Sequence, residues 1–173
     1  MAVATAFQTI GPYWHLFEDA AQADLTRFGA SGEKLTLVGK ITDGTGAVVT
    51  DAAVEIFQAS PASSETFPGW GRARTNAAGE FRFTTIKPGP LPGRGNTLQA
   101  PHFAINIFAR GILTRLYTRA YFQNDPLNEA DPLLNLIDDP ARRATLIATP
   151  EAVSVWRKDI VLQGEGETVF IEV

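Results

Sequence analysis

From Leu35 onward the chain is written mostly in the alternation of β-strands. Ala53-Val54-Glu55-Ile56-Phe57-Gln58-Ala59 alternates apolar and polar side chains, the spacing of a half-buried strand. Leu35 to Ile41 is strand-like. Around Arg82 the alternation sets Phe81 and Phe83 on one face and Arg82 and Thr84 on the other. Phe103 to Ala109 and Leu113 to Phe122 read as two long strands around a turn at Arg110-Gly111. Trp156 to Leu162 and Thr168 to Val173 read as closing strands. Asp43-Gly44-Thr45-Gly46 and Asn76-Ala77-Ala78-Gly79 have the residues that tight turns favour. Asp139 followed by Pro140 predicts a short helix over 139–148, with Asp139 as N-cap and proline where a missing N–H does no harm. Residues 1–32 lack this periodicity and read as an arm lying across a domain, with one helical turn around Glu18 to Leu25. The sum is an all-β, two-sheet β-sandwich over residues 33–173, with short helical insertions.

Composition narrows the function classes. The length suits one domain, and 45% apolar residues suffice for a core. No apolar run approaches a membrane span, and no basic stretch precedes an apolar core at the N-terminus. Cysteine is absent, which excludes disulfides and thiolate metal sites and fits a reducing cytoplasm. The net charge is -4 with scattered arginines, so no basic stripe supports nucleic-acid binding.

Three stretches carry candidate chemistry. Thr9-Ile10-Gly11-Pro12-Tyr13-Trp14 puts an aromatic pair beside a Gly-Pro turn, suited to an aromatic ligand, to a protein surface, or simply to packing of the arm. His15 lies two residues from Tyr13 and would share its side in an extended arm. Asn106 to Gly111 ends a strand in Arg110, which can clamp a carboxylate or lie at a hairpin tip. His102 opens the strand before it. Arg115, Tyr117, Arg119 and Tyr121 alternate along the next strand and read as a solvated or interface face.

The run Phe81 to Pro92, with Lys87-Pro88-Gly89-Pro90-Leu91-Pro92 at its end, followed by Ala100-Pro101-His102-Phe103-Ala104, resembles the core of the intradiol ring-cleaving dioxygenases. Their iron-binding chains hold a ferric ion with two tyrosines and two histidines. At the matching positions this chain has Leu91, no tyrosine in 60–67, and His102-Phe103-Ala104 in place of His-x-His. Only His102 remains of four ligands, and it reads as a residual histidine hydrogen-bonded inside the sandwich. Gly11-Pro12-Tyr13 and Phe108-Ala109-Arg110-Gly111 resemble motifs of the family's non-iron α chains, as do Leu134 to Ile137 and Gln163 to Phe170.

This resemblance implies that Fe(III) is bound by a homologous β subunit and not by this chain. It implies cleavage of protocatechuate (3,4-dihydroxybenzoate) with O2 to 3-carboxy-cis,cis-muconate, within aromatic catabolism. Arg110, Tyr13, Pro12 and Gly11 would bind substrate at the subunit interface, with His15 and His102 behind them. A higher α/β oligomer, a cytoplasmic location and an inactive isolated chain follow from the same resemblance. The segment between Ala59 and Gly71 is short for such an α chain, and 93–99 is unlike the iron-bearing chains. Two alternatives remain at this point. One is a non-catalytic transthyretin-like binding module, which shares the Leu37-to-Pro88 pattern. The other is a self-sufficient catechol or hydroxyquinol dioxygenase, which would need the missing ligands.

Overall fold

A computed structural model describes residues 10, 11 and 13–172. Pro12, expected to shape the pocket wall, lies outside the described residues. The strands are β1 (Lys34–Thr42), β2 (Ala53–Phe57), β3 (Trp70–Arg74), β4 (Glu80–Ile86), β5 (Leu91–Pro92), β6 (Leu98–Gln99), β7 (His102–Phe108), β8 (Leu116–Phe122), β9 (Ile147–Ala152), β10 (Val155–Arg157) and β11 (Ile160–Val161). One short helix, α1 (Pro140–Ala144), joins five 3-10 turns among the described residues.

Two layers face each other. In one, β2 lies between β3 and β7, and β7 pairs with β8, all antiparallel. In the other, β1 pairs antiparallel with β4 and, along its opposite edge, parallel with β10 and then β11. β9 belongs to both: Ile147 and Ala148 pair with β8, while Thr149, Pro150 and Ala152 pair with β10. The hydrogen bonds therefore join nine strands into one sheet among the described residues, a path of eight with β4 branching from β1, folded over at β9.

The alternation explains which faces meet. Phe81 and Phe83 of β4 and Leu37 and Ile41 of β1 point inward. There they pack with Val54 and Ile56 of β2, Ile105 and Ile107 of β7, and Phe122 of β8 in one buried cluster. Each such side chain removed from water contributes about 1.5–3 kcal/mol. Glycine is required at one place inside this layer: a Cβ at Gly39 would run into the Lys158 carbonyl oxygen and the Phe81 ring. A second, smaller cluster joins Ala100, Tyr121, Leu134 and Leu146 beside the first.

Several sequence expectations change. Asp43 to Gly46 forms a turn, with Thr42 bridging Val48, but β1 and β2 do not pair across it; the chain crosses to the other layer. The helix stops at Ala144, where the Thr145 Oγ1 donates to the Arg142 carbonyl, and β-branched Ile147 starts β9 instead. β8 starts at Leu116, not Leu113. The closing strand splits into β10 and β11 around Lys158 and Asp159. Residues 168–172 are not a strand; they are held by single bonds such as Ile171 N–H to the Tyr117 carbonyl, 2.8 Å. β3 was not anticipated, because Trp70-Gly71-Arg72-Ala73-Arg74 buries only Gly71 and Ala73. In the arm, Trp14–Phe17 and Ala20–Ala23 are 3-10 turns, the second capped by the Asp19 carboxylate. Leu25 is fully buried, and its N–H donates to the Thr84 carbonyl, which docks the arm on β4.

Candidate functional site

Arg110 is set by a turn and a register. β7 ends at Phe108, and the chain reverses through Ala109-Arg110-Gly111-Ile112, closed by the Ile112 N–H to the Ala109 carbonyl at 3.2 Å. Gly111 has φ 80°, the left-handed value that the third residue of a type II turn requires. Nothing lies within 4 Å of where its Cβ would be, so backbone conformation alone demands glycine there. On the neighbouring strand, Ala53 is the register partner of Phe108. Carrying that register two residues outward sets Asp51 opposite Arg110. The Asp51 Oδ2 meets the Arg110 Nε in an ion pair, with the arginine side chain 69% exposed and the aspartate 24%.

The arm arrives at the same place. The Trp14 indole N–H donates to the Asp51 backbone carbonyl at 3.2 Å. Tyr13, next to it, is 70% exposed, and its carbonyl accepts from Leu16 N–H at 3.0 Å. Gly11 has φ 80° and, among the described residues, nothing beyond its chain neighbours within 4 Å of where its Cβ would be. His15 is exposed within the Trp14–Phe17 turn. That turn replaces the extended arm whose alternation would have aligned His15 with Tyr13. The structure thus joins Trp14, Asp51 and Arg110 through contacts, with Tyr13 adjacent in sequence. Asp51 and the role of Trp14 were missed in the sequence. The detectable signal was a charge just before β2 and its opposite just after β7.

His102 sits apart from this cluster, on the first residue of β7. It is buried, and its Nδ1 is 2.7 Å from the Ala100 carbonyl, so Nδ1 carries the proton and donates. Burial, with the nearby Arg119 charge, pushes its pKa down to about 4, so the ring is neutral. Tyr121 lies beside it, ring centroids 5.2 Å apart. The Tyr121 hydroxyl donates to Asp131 Oδ1 at 3.1 Å and accepts from Arg119 Nη1 at 3.0 Å. Arg119 Nη1 also donates to Gln99 Oε1 at 2.8 Å, and Gln99 is the cross-strand partner of Leu91. Asp131, fully buried, accepts from the backbone N–H groups of Ala100, Leu133 and Leu134. The face expected to be solvated therefore carries a buried polar network. Tyr121 is 0% exposed, and Arg115 lies outside the strand. The 60–67 loop is tied to the segment before β5: the Gly89 N–H donates to Ser60 Oγ at 3.3 Å.

Comparison with known proteins places this architecture. The sequence profile described as Dioxygenase matches residues 10–164. The chain is 39% identical to the protocatechuate 3,4-dioxygenase alpha chain of Pseudomonas putida, over 97% of this chain and 96% of that one. The chain belongs to the intradiol dioxygenase family. It is also 32% identical to the protocatechuate 3,4-dioxygenase beta chain of Burkholderia cepacia, over 79% of this chain and 67% of that one. Among solved structures, it superimposes on the dioxygenase domain of a dioxygenase–carbohydrate-binding protein fusion from Streptomyces sp. SirexAA-E. That match has a TM-score of 0.66 at 28% identity and covers 91% of this chain and 97% of that one.

An intradiol dioxygenase fold implies ferric iron, and the residues around His102 do not fit it. Ferric iron favours anionic oxygen donors together with imidazoles. Tyr121, the phenol beside His102, is kept protonated: burial raises its pKa, and it donates its proton to Asp131. The Arg119 guanidinium adds a positive charge on the acceptor side of the same oxygen. Asp131 is committed to three backbone N–H groups and Tyr121. Among the described residues, no group of three or more His, Asp or Glu converges on a metal-sized site. The polar network runs through the region in hydrogen bonds made within the chain, from His102 Nδ1 to the Ala100 carbonyl and from Arg119 through Tyr121 to Asp131.

Proposed function

We propose that this chain is the non-iron α subunit of a heteromeric intradiol dioxygenase. The enzyme cleaves protocatechuate with O2 between its two hydroxyl-bearing carbons, giving 3-carboxy-cis,cis-muconate. The observation that carries this reading is the end-to-end similarity to a protocatechuate 3,4-dioxygenase alpha chain. The similarity to a beta chain supports a homologous, iron-bearing partner, and the misfit of the His102 region with ferric iron agrees with that division. Residues 1–32 form the arm that contributes to the interface, and residues 33–173 form the sandwich.

This chain's task is to bind and orient substrate. Arg110, at a turn and largely exposed, offers a guanidinium to the substrate carboxylate, the end of the molecule remote from the reacting carbons. Tyr13 presents an exposed ring beside Trp14, whose indole is tied to Asp51, and Gly11 shapes the wall. Fixing the carboxylate sets which ring bond faces the reaction, a positional gain realised without any chemistry on this chain. His15, exposed in the arm turn beside Trp14, belongs to the same arm, whereas His102, at the opposite end of β7 from Arg110, serves the separate buried network around Tyr121. The exposed apolar side chains Tyr13, Leu16 and Leu113 near the arm and the turn suit burial against a partner.

The test is reconstitution. The chain alone is expected to leave protocatechuate unchanged, and its complex with a ligand-complete beta chain to consume O2 and form 3-carboxy-cis,cis-muconate. Turnover by the chain alone, or failure of the two chains to associate, would overturn the reading.

A further inference from the structure

Among the described residues, Asp51 is tied to both halves of the proposed pocket. Its backbone carbonyl accepts from the Trp14 indole, which anchors the arm, and its carboxylate pairs with Arg110. The pair is dictated by strand register, not by a chance meeting of two long side chains: Asp51 stands just before β2 and Arg110 just after β7. The contact is made at Nε. A guanidinium has two edges that can take a carboxylate, the Nε/Nη2 side and the Nη1/Nη2 end. Occupation of Nε by Asp51 leaves the Nη1/Nη2 end outside this contact, on a side chain that is 69% exposed.

We propose that Asp51 is a positioning residue: it clamps the Nε side of Arg110 so that the Nη end is presented, already oriented, to the substrate carboxylate. This rests on the reading of Arg110 given above. A 69%-exposed arginine without such a clamp samples many rotamers, and that freedom must be lost on each binding event. Asp51 takes the loss at folding. Glu at 51 has a longer reach and an extra rotatable bond, so it restores the charge with less of the orientation.

The test uses the assembled α/β enzyme. Asp51→Asn keeps the backbone carbonyl that holds Trp14, so the arm stays anchored while the carboxylate is removed. Losing the clamp is expected to raise KM for protocatechuate about fivefold with kcat unchanged, since remote binding and not chemistry is affected. The inhibition constant of catechol, the same ring without the carboxylate, is expected to stay the same. Asp51→Glu is expected to recover part of the KM. In an Arg110→Ala background, Asp51→Asn is expected to add nothing, because it acts only through Arg110.

If Arg110→Ala itself leaves KM unchanged, the placement of Arg110 in the pocket fails. If Arg110→Ala raises KM but Asp51→Asn does not, or lowers it, the clamp is overturned while Arg110 stands. Equal weakening of protocatechuate and catechol by Asp51→Asn would likewise overturn it, by showing a general structural effect.

Discussion

His102 has a neutral ring enclosed by the protein, its pKa pushed down to about 4 mainly by burial. Between about 4 and about 6.5 the unfolded chain therefore binds a proton that the folded chain does not. In that window stability rises with pH, and acidification from 6.5 toward 4 removes up to roughly 3 kcal/mol from this residue. Urea denaturation of the wild type and of His102→Gln at a series of pH values checks this. The extra acid loss is expected in the wild type and absent in the variant. The same residue shows what was legible from sequence. Its fate as a buried, hydrogen-bonded remnant could be read from the missing ligands around it. The network beside it could not, because Asp131 lies far downstream in a different segment, and only the folded chain brings it to the Tyr121 hydroxyl.

Turns and strands decide how precisely Arg110 is presented. Gly111 holds a left-handed conformation that costs an L-residue about 1 kcal/mol, with no steric conflict to add. Gly111→Ala is expected to lower stability by about that amount and to raise KM for protocatechuate several-fold in the complex, because the arginine precedes the strained position. Gly111→Asn should fall between, since asparagine tolerates this region better. Thermal melts and steady-state kinetics read both effects. At this scale, period-two patterns marked β1, β2, β4 and β7 well, since each buries one face. They failed where burial is slight or pairing is distant. β3 hides behind arginines, the expected strand Thr168 to Val173 finds only single partners over 168–172, and β9 sits where a helical pattern runs on past its cap.

As a whole the molecule is a sandwich with its sheets joined at β9, an arm docked through Leu25, and two distinct polar clusters. One cluster, around His102, is buried and linked by hydrogen bonds within the chain. The other, around Arg110, is open, charged, and flanked by exposed apolar side chains. That contrast underlies the proposed division of labour, in which this chain would orient the substrate and its partner would hold the metal. The most direct measurement is iron content with the visible spectrum, taken on this chain purified alone and again in complex with a ligand-complete beta chain. The account predicts an iron-free, colourless chain and a coloured complex with iron in proportion to the beta chain. Stoichiometric iron on the isolated chain, with the visible band of a ferric tyrosinate, would contradict it.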